Sequence, residues 1–276
     1  MNSTNEIHWV VQRNLLPAPT LAAFRQALQQ QGISHEEVVS VPFSRELPEL
    51  QKPWATCVFY GSTTLLLNAY RDGRYAAGVF YDPAAFTMAN YLAHWPTQLL
   101  NHDAQVQTLA SFTAQPHPLD SQWFVRPNDD TKTFAGQVLR VAQLRAWQQQ
   151  LAQLAAGEAE LTPDSLLVFS SPKVIEKEWR HFIVGGQVVS SVRYQWRGEL
   201  RVSAQDVPTD LLAFVQACCT AYQPHAVFVL DTALADGQYW LVECNCFNGT
   251  GFYEPAAIAD VVAAVTQWLR SQPVPV

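Results

Sequence analysis

Short apolar runs separated by polar turns dominate the first eighty residues of the sequence. Their spacing predicts, in order, a strand at 8–12, an amphipathic helix at 19–31, and strands at 36–42 and 55–60. Thr20 is expected to cap the helix, and Gly32 to stand just past its end. Gly61-Ser62-Thr63 follows the third strand directly, where an α/β unit turns into a helix. This part of the chain is therefore expected to form a small sheet with flanking helices.

The middle of the chain is expected to be helical and to end at a proline-rich break. Helices are predicted at 84–100 and, in shorter form, at 104–113. Residues 115–120 (QPHPLD) carry two prolines and interrupt the pattern. We therefore expect a domain boundary here, with an N-terminal α/β domain over residues 1–118 and a second domain over residues 119–276.

Beyond this break the pattern predicts more strands than helices. Strands are expected at 123–127, 166–170, 226–231 and 238–245, and a hairpin over 179–196 that turns at Gly185-Gly186. Helices are expected at 138–156, 208–222 and 256–270, and a polar loop at 128–136. The second domain is therefore expected to combine paired strands with a few separate helices.

Composition excludes several classes of protein. A chain of 276 residues that is 49% hydrophobic and 15% charged is too apolar to be disordered. Its net charge of −7 argues against a broad basic surface for nucleic acid, and no run approaches the roughly 20 apolar residues that a membrane helix needs. The start of the chain lacks the basic region of a signal peptide, and five cysteines give no disulfide framework. We expect a cytoplasmic protein without nucleic-acid or membrane partners, and oligomeric state cannot be read from the sequence.

Two acidic residues and an asparagine occupy the last predicted hairpin. A turn centred near Asp236-Gly237 sets Asp231 opposite Val242 or Glu243, and Glu243 and Asn245 share one face of their strand. Buried together without compensation, the two carboxylates would repel each other. A hard divalent cation such as Mg²⁺, which takes oxygen ligands and bridges to phosphate, would compensate them. The alternative is that these residues lie at strand ends and face solvent.

Five basic residues precede this hairpin on successive predicted strands and the loop between them: Arg126, Lys132, Lys173, Arg180 and Arg193. With a turn at 185–186, Arg180 is expected to face position 191, with Arg193 one diagonal step away. Arginine suits phosphate because its planar fork is always charged, whereas lysine supplies a mobile point charge. If phosphates lie on the proposed metal, these cations are expected to face them. Taken singly, each could equally be a surface charge.

The motifs in the second half of the chain resemble a known family. They are FVRP followed by DDTKTFAG, then SSPKVI followed by EWRHFIV and VVSSVRY, and finally an aspartate followed by WLVECNCFNGTGFY. Over roughly residues 122–268 this order resembles the ATP-grasp superfamily. Within the superfamily it is similar to a divergent clade marked by an arginine and two lysines. That clade includes the eukaryotic cell-division-cycle protein that helps to assemble a translation initiation factor.

The resemblance implies a fold and a set of residue roles. The fold is α+β, with two α+β subdomains that clamp ATP and a small α/β domain before them. For the site it implies Arg126 on the first strand, Lys132 over the β- and γ-phosphates, Lys173 at the α-phosphate or adenine, Glu178 at the ribose or beside a cation, Arg180 and Arg193 at the transferred phosphoryl group, and Asp231, Glu243 and Asn245 on Mg²⁺. The implied cofactors are therefore ATP and Mg²⁺.

The activity that the resemblance implies is ATP-dependent ligation of a carboxylate to an amine through an acyl phosphate, with release of ADP and phosphate. The substrates would be an amino acid, a peptide or a protein, and residues 248–251 are expected to line the acceptor pocket. Two alternatives stay open. One is an assembly factor that binds ATP with little turnover, and the other is a kinase that stops at a phosphorylated product.

Overall fold

Three β-sheets organise the part of the chain that this computed structural model describes, which is residues 6–130, 133–153, 161–162 and 164–273. One sheet comes from the N-terminal residues, one from the middle of the chain and one from the C-terminal half. No helix among these residues has the length and apolar character needed to cross a membrane. The last two sheets matter most for function, because two arginine–carboxylate ion pairs lie within or between them.

The N-terminal sheet is parallel and forms as the apolar pattern predicts. Its elements are β1 (Ile7–Gln12), α1 (Ala18–Gln30), β2 (Ser34–Val38), β3 (Thr56–Tyr60) and α2 (Thr63–Asp72). The strand order is β2-β1-β3, so the central strand β1 is covered on both faces and every one of its residues is buried. Thr20 is not the cap, because Pro17 precedes the first helical residue and Thr20 lies inside the helix. Ser62 caps α2 by accepting a hydrogen bond from the backbone N–H of Leu65.

The predicted helices at 84–100 and 104–113 are shorter in the structure. The first is reduced to α3 (Met88–His94), which ends two residues before Pro96. The second divides into β4 (Gln105–Thr108) and α4 (Leu109–Ala114). Thr108 caps α4 through its hydroxyl, and this cap starts the helix at residue 109 and leaves the preceding residues extended.

The middle sheet is antiparallel and lies beside two helices. Its further elements are β5 (Gln122–Pro127), β6 (Gln137–Arg140), α5 (Val141–Gln153) and β7 (Leu166–Ser170), with strand order β4-β7-β5-β6. The short edge strand β6 was not predicted, and the predicted helix beyond Gln153 lies outside the described residues. Since β4 pairs with β7, this sheet begins before the predicted domain boundary at residue 118.

The C-terminal sheet contains five antiparallel strands. Its elements are β8 (Lys177–Val184), β9 (Gln187–Trp196), β10 (Glu199–Ser203), α6 (Thr209–Ala221), β11 (Val227–Ala235) and β12 (Gln238–Cys246), in the order β10-β9-β8-β11-β12. The predicted turn at Gly185-Gly186 is confirmed, with φ of 56° and 78° at the two glycines. The turn at Asp236-Gly237 likewise has positive φ at both residues. The edge strand β10 was not predicted.

The last helix, α7 (Ile258–Ser271), returns to the N-terminal sheet and completes its core. Trp9 on β1 donates a hydrogen bond from Nε1 to Thr266 Oγ1 at 3.0 Å, although the two residues are 257 positions apart. The apolar cluster around Trp9 combines side chains of β1, α1 and α7 with Val227 and Val229 of β11. The N-terminal and C-terminal sheets therefore share one core.

Asn248 joins these two sheets through its side chain. Its amide donates to Phe59 O at 2.7 Å and Gly78 O at 2.9 Å, and its Oδ1 accepts from Phe80 N at 2.7 Å. Asn248 is 1% exposed, so all three bonds are shielded from water. The expectation that this asparagine lines an acceptor pocket is therefore wrong, because its polar groups are engaged in bonds to the backbone.

A buried histidine on β8 makes stability depend on pH. His181 is fully buried between the hydroxyls of Ser191 and Thr232, each 2.8 Å from a ring nitrogen, and burial lowers its pKa from 6.5 to about 3. The unfolded chain binds a proton near pH 6.5 that the folded chain does not bind. The stabilisation is therefore complete above that pH and is lost as the pH falls.

We expect this histidine alone to lower the free energy of unfolding by about 1.4 kcal/mol for each pH unit below the unfolded pKa. Urea denaturation across this range should give a shallower pH slope for His181→Gln than for the wild type. The exposed His94 provides a matched control, since His94→Gln should leave the slope unchanged. Equal slopes for His181→Gln and wild type would contradict the prediction.

Candidate nucleotide-binding cleft

A cleft of about 590 Å³ lies between the middle sheet and the C-terminal sheet. Six of the residues predicted for the site line it: Arg126, Lys173, Glu178, Arg180, Asp231 and Glu243. Apolar side chains cover the rest of its walls, chiefly Leu100, Phe124, Phe134, Val138, Ile175 and Val242. A largely apolar cleft with a few convergent charged groups has the character of a small-molecule site. Most of the sequence-predicted residues are thus brought to one place.

Arg180 and Asp231 form a buried, bidentate ion pair at the base of the cleft. Their strands are adjacent and place the two residues directly opposite each other. Arg180 Nε lies 2.9 Å from Asp231 Oδ1 and Nη2 lies 2.7 Å from Oδ2, while Nη1 donates to Gly251 O at 2.9 Å. Burial opposes the positive charge, but the adjacent carboxylate outweighs it and raises the pKa of Arg180. Asp231 therefore already has a cationic partner within the protein.

A second ion pair joins the two sheets across the cleft. Arg126 on β5 places Nη2 2.5 Å from Glu243 Oε2 on β12, with side-chain exposures of 13% and 18%. The predicted register of the last hairpin is confirmed, because Glu243 lies opposite Asp231. A bulge follows this pair, so the register shifts between Asp231 and Thr232. The two carboxylates are therefore adjacent, and each has an arginine from a different strand.

Two tyrosines that the sequence analysis did not single out also face the cleft. Tyr194 and Tyr253 stack with ring centroids 4.4 Å apart, and Arg180 lies over the Tyr253 ring at 4.8 Å. Tyr194 donates its hydroxyl to Glu178 Oε2 at 2.7 Å. Burial raises the pKa of both Glu178 and Tyr194. Only the alternation of side chains along β9 could have pointed to Tyr194, and a bulge interrupts that alternation.

That bulge also explains why Arg193 lies outside the cleft. The register between β8 and β9 shifts between Glu178 and Trp179, so Arg180 faces Val192 rather than the predicted position 191. Arg193 lies opposite Trp179 instead, with Nε 2.7 Å from Asp206 Oδ2 and its guanidinium over the Trp196 ring at 5.4 Å. The expectation that Arg193 stands one diagonal step from Arg180 within the site is therefore wrong.

The two predicted lysines differ in what the structure describes. Lys173 lines the edge of the cleft, where Nζ donates to Ser171 Oγ at 2.6 Å and pairs with Asp103 Oδ1 at 3.2 Å. Its side chain is 22% exposed, so it can reach a ligand in the cleft without first leaving the protein interior. Lys132 lies outside the described residues.

The predicted metal ligands meet on one hairpin. Asn245 is fully buried and donates from Nδ2 to Asp231 Oδ2 at 3.1 Å, while its Oδ1 has no hydrogen-bond donor among the described residues. A buried amide oxygen without a donor is an available ligand for a hard cation. Within the described ranges, no group of three or more histidine, cysteine, aspartate or glutamate side chains is arranged for a metal. Two carboxylates and one amide oxygen nevertheless fit Mg²⁺, which binds through one or two carboxylates plus phosphate and water.

Comparison with solved structures shows the same architecture. The RimK domain ATP-grasp protein from Sphaerobacter thermophilus matches with a TM-score of 0.61 and 10% identity, over 96% of this chain and 100% of that chain. The ATP-grasp ligase PsnB, complexed with a minimal precursor, Mg and ADP, matches with a TM-score of 0.57 and 14% identity, over 98% and 99%. The D-alanine–D-alanine ligase from Bacillus anthracis, complexed with ATP, matches with a TM-score of 0.57 and 11% identity, over 97% and 98%. These likenesses confirm the predicted ATP-grasp fold.

Sequence comparison identifies the family. No curated protein matches the chain. Residues 68–266, which are most of the sequence, match the ATP-grasp domain of family 3 in the clade named for one arginine and two lysines. The match confirms the predicted superfamily, while the likeness to the eukaryotic initiation-factor assembly protein stays a prediction. The cleft between two sheets, its arginine and lysine side chains and the sequence match agree, and the chain belongs to family 3 of this ATP-grasp clade.

Proposed function

We propose that the protein is an ATP-dependent ligase that joins a carboxylate to an amine and releases ADP and phosphate. The observation that carries the proposal is the convergence of Arg126, Lys173 and Arg180 with Asp231 and Glu243 in one apolar-walled cleft. Ligases of the same fold include PsnB, whose structure contains a precursor peptide, and the D-alanine–D-alanine ligase with ATP. This likeness supports the reaction class and leaves both substrates to be found.

The walls of the cleft suit the two ends of a nucleotide. Leu100, Ile175 and Val138 offer apolar contacts for a base, while Arg126 and Lys173 supply positive charge for phosphates. Lys132, which the resemblance places over the β- and γ-phosphates, keeps that role in the proposal. Arg126 would exchange its bond with Glu243 for a bond to phosphate, and Glu243 would then be available to a cation.

Mg²⁺ would be held by Asp231, Glu243 and Asn245. When bound, it would neutralise phosphate charge and polarise the transferred phosphoryl group. Asn245 contributes the buried Oδ1 that has no donor among the described residues. Asp231 stays oriented by Arg180, and this ion pair fixes its carboxylate plane before any cation arrives.

The chemistry that this arrangement supports has two steps. First, a carboxylate oxygen of the substrate bonds to the γ-phosphorus as the bond to the bridging oxygen breaks, and ADP leaves with the electron pair. Second, an amine nitrogen attacks the acyl carbon, the carbon–oxygen bond to phosphate breaks, and the amine loses a proton. Three of the five N–H groups of Arg180 are engaged within the protein, which leaves two for an oxyanion. Arg193 has no part in the proposal because it lies outside the cleft.

ADP release from MgATP, measured with and without a mixed pool of amino acids and short peptides, tests the proposal. We expect release that requires the pool and that falls sharply in Arg126→Ala. The substitution removes a phosphate-facing cation from β5 without creating a buried charge, because Glu243 is partly exposed. Arg140→Ala, which changes an exposed arginine at the end of β6, serves as the control. Binding of ATP with no release under any pool would contradict ligase activity.

A second candidate is an assembly factor that binds ATP with little turnover. One observation favours it: both carboxylates of the predicted metal site are neutralised by arginines within the protein. Tight ATP binding, absent turnover and co-purification of a specific protein would support this candidate. Release of ADP that depends on an amine would exclude it.

A further inference from the structure

A second, larger cavity adjoins the nucleotide-binding cleft. It is a groove of about 930 Å³ between α2, the loop that contains residues 43–45, and the ends of β5 and β7. Pro127 and Asp129 line both the groove and the cleft, so the two cavities meet at the end of β5. A ligand that lies in the groove can therefore present one of its groups to the cleft.

Two arginines supply positive charge to this groove. Arg45 and Arg71 both line it, and neither guanidinium makes a hydrogen bond or an ion pair with any described residue. Asp72, the acid next to Arg71, is already held by Arg74 through two bonds of 2.6 and 2.7 Å. In a chain with 24 acidic and 17 basic residues, two such cations facing one groove mark a place for an anion from outside the molecule.

A buried asparagine holds the two arginines in place. Asn68 is 4% exposed, and its side-chain amide donates to Ser44 O at 2.9 Å and to Glu46 O at 3.1 Å. These two carbonyls flank Arg45, so the loop is fixed to α2 on both sides of that residue. Arg71 lies three residues after Asn68 and therefore on the same side of the helix. The pair is thus positioned by the fold rather than by two independent flexible loops.

The remaining lining of the groove is largely apolar and hydroxylic. Phe43 stands at its rim, 89% exposed and with φ of 62°, a conformation that non-glycine residues rarely adopt. Leu67, Leu161 and Leu166 supply further apolar surface, and Ser44 and Thr64 supply hydroxyls. The groove is larger than the cleft itself, which favours a chain segment with several side chains over a single small carboxylate.

We propose that this groove binds an acidic peptide segment, whose carboxylates pair with Arg45 and Arg71 and whose apolar side chains contact Phe43 and the leucines. The peptide would supply the carboxylate that the ligase activates, and in this respect the inference rests on the proposed function. Binding in the groove does not itself require ATP, so it can be tested separately from turnover.

The test is fluorescence anisotropy of the full chain with a short fluorescein-labelled peptide of alternating glutamate and leucine. A matched peptide carries glutamine in place of each glutamate. We expect the acidic peptide to bind, to bind more weakly as salt rises, and to lose at least about tenfold in affinity in the double variant Arg45→Gln/Arg71→Gln. The control is Arg13→Gln/Arg270→Gln, which removes the same charge from exposed positions outside the groove.

Several results would overturn the inference. They are equal affinity of the groove variant and the control, equal binding of the glutamine peptide, no binding of either peptide, or an oligonucleotide that competes better than the acidic peptide. Arg126→Ala separates this inference from the proposed function. It should lose ATP binding and keep peptide binding, whereas failure of the groove would leave ATP binding and ADP release intact.

Discussion

Replacing Glu243 by glutamine is expected to lower ADP release by about a hundredfold or more. Glutamine keeps the shape of the side chain and removes the charge that pairs with Arg126 and that would hold Mg²⁺. The loss should fall on turnover, because the charge is needed only where phosphate charge is compensated. Steady-state ADP release at saturating MgATP measures the effect.

The same substitution should cost little stability. The Glu243 side chain is 18% exposed, and an ion pair that is open to solvent contributes only about 0–1 kcal/mol. The matched control is Glu199→Gln, which breaks the exposed pair with Arg201 outside the cleft. We expect this control to release ADP at the wild-type rate. Wild-type turnover in Glu243→Gln would show that the carboxylate is not a metal ligand.

Replacing Asp231 by asparagine is expected to have the largest effect on stability, about 3–5 kcal/mol in the free energy of unfolding. The substitution leaves the Arg180 charge 8% exposed and without its carboxylate. Water cannot replace the lost partner, because Asp231 itself is 2% exposed and lies between two strands. Urea denaturation at neutral pH gives the measurement.

Two variants make this second prediction specific. Asp72→Asn breaks the exposed pair with Arg74 and should cost about 1 kcal/mol or less. The double variant Arg180→Leu/Asp231→Leu removes both charges and should recover much of the stability, since well-packed apolar residues can replace a buried pair. A cost for Asp231→Asn no larger than that for Asp72→Asn would mean that the buried pair contributes nothing particular.

The sequence predicted those elements that depend on local patterns. The parallel strands of the N-terminal sheet, the turn at Gly185-Gly186 and the opposition of Asp231 and Glu243 each follow from side-chain alternation and turn chemistry over a few residues. The gathering of Arg126 and Lys173 with the acidic hairpin followed from the order of the motifs and is present in the cleft. These features need no information about distant pairing.

The features that were missed depend on distant pairing or on bulges. The register that brings Arg180 onto Asp231 joins residues 51 positions apart, and neither local sequence shows it. A bulge in the first hairpin turns Tyr194 into the cleft and leaves Arg193 outside it. Short edge strands such as β6 and β10 were missed because four or five residues carry too little periodicity. The two arginines of the groove are likewise brought together only in three dimensions.

The hydrogen bond between Trp9 and Thr266 bears on how the chain folds while it is being made. Strand β1 leaves the ribosome first and helix α7 leaves it last, yet the two belong to one core. Domains generally fold as units during synthesis, and this unit is incomplete until nearly the whole chain has emerged. Until then the apolar face of β1 stays uncovered and open to chaperones or to neighbouring nascent chains. Premature termination before residue 258 would leave that face uncovered permanently, so truncated products should aggregate rather than persist as a folded N-terminal half.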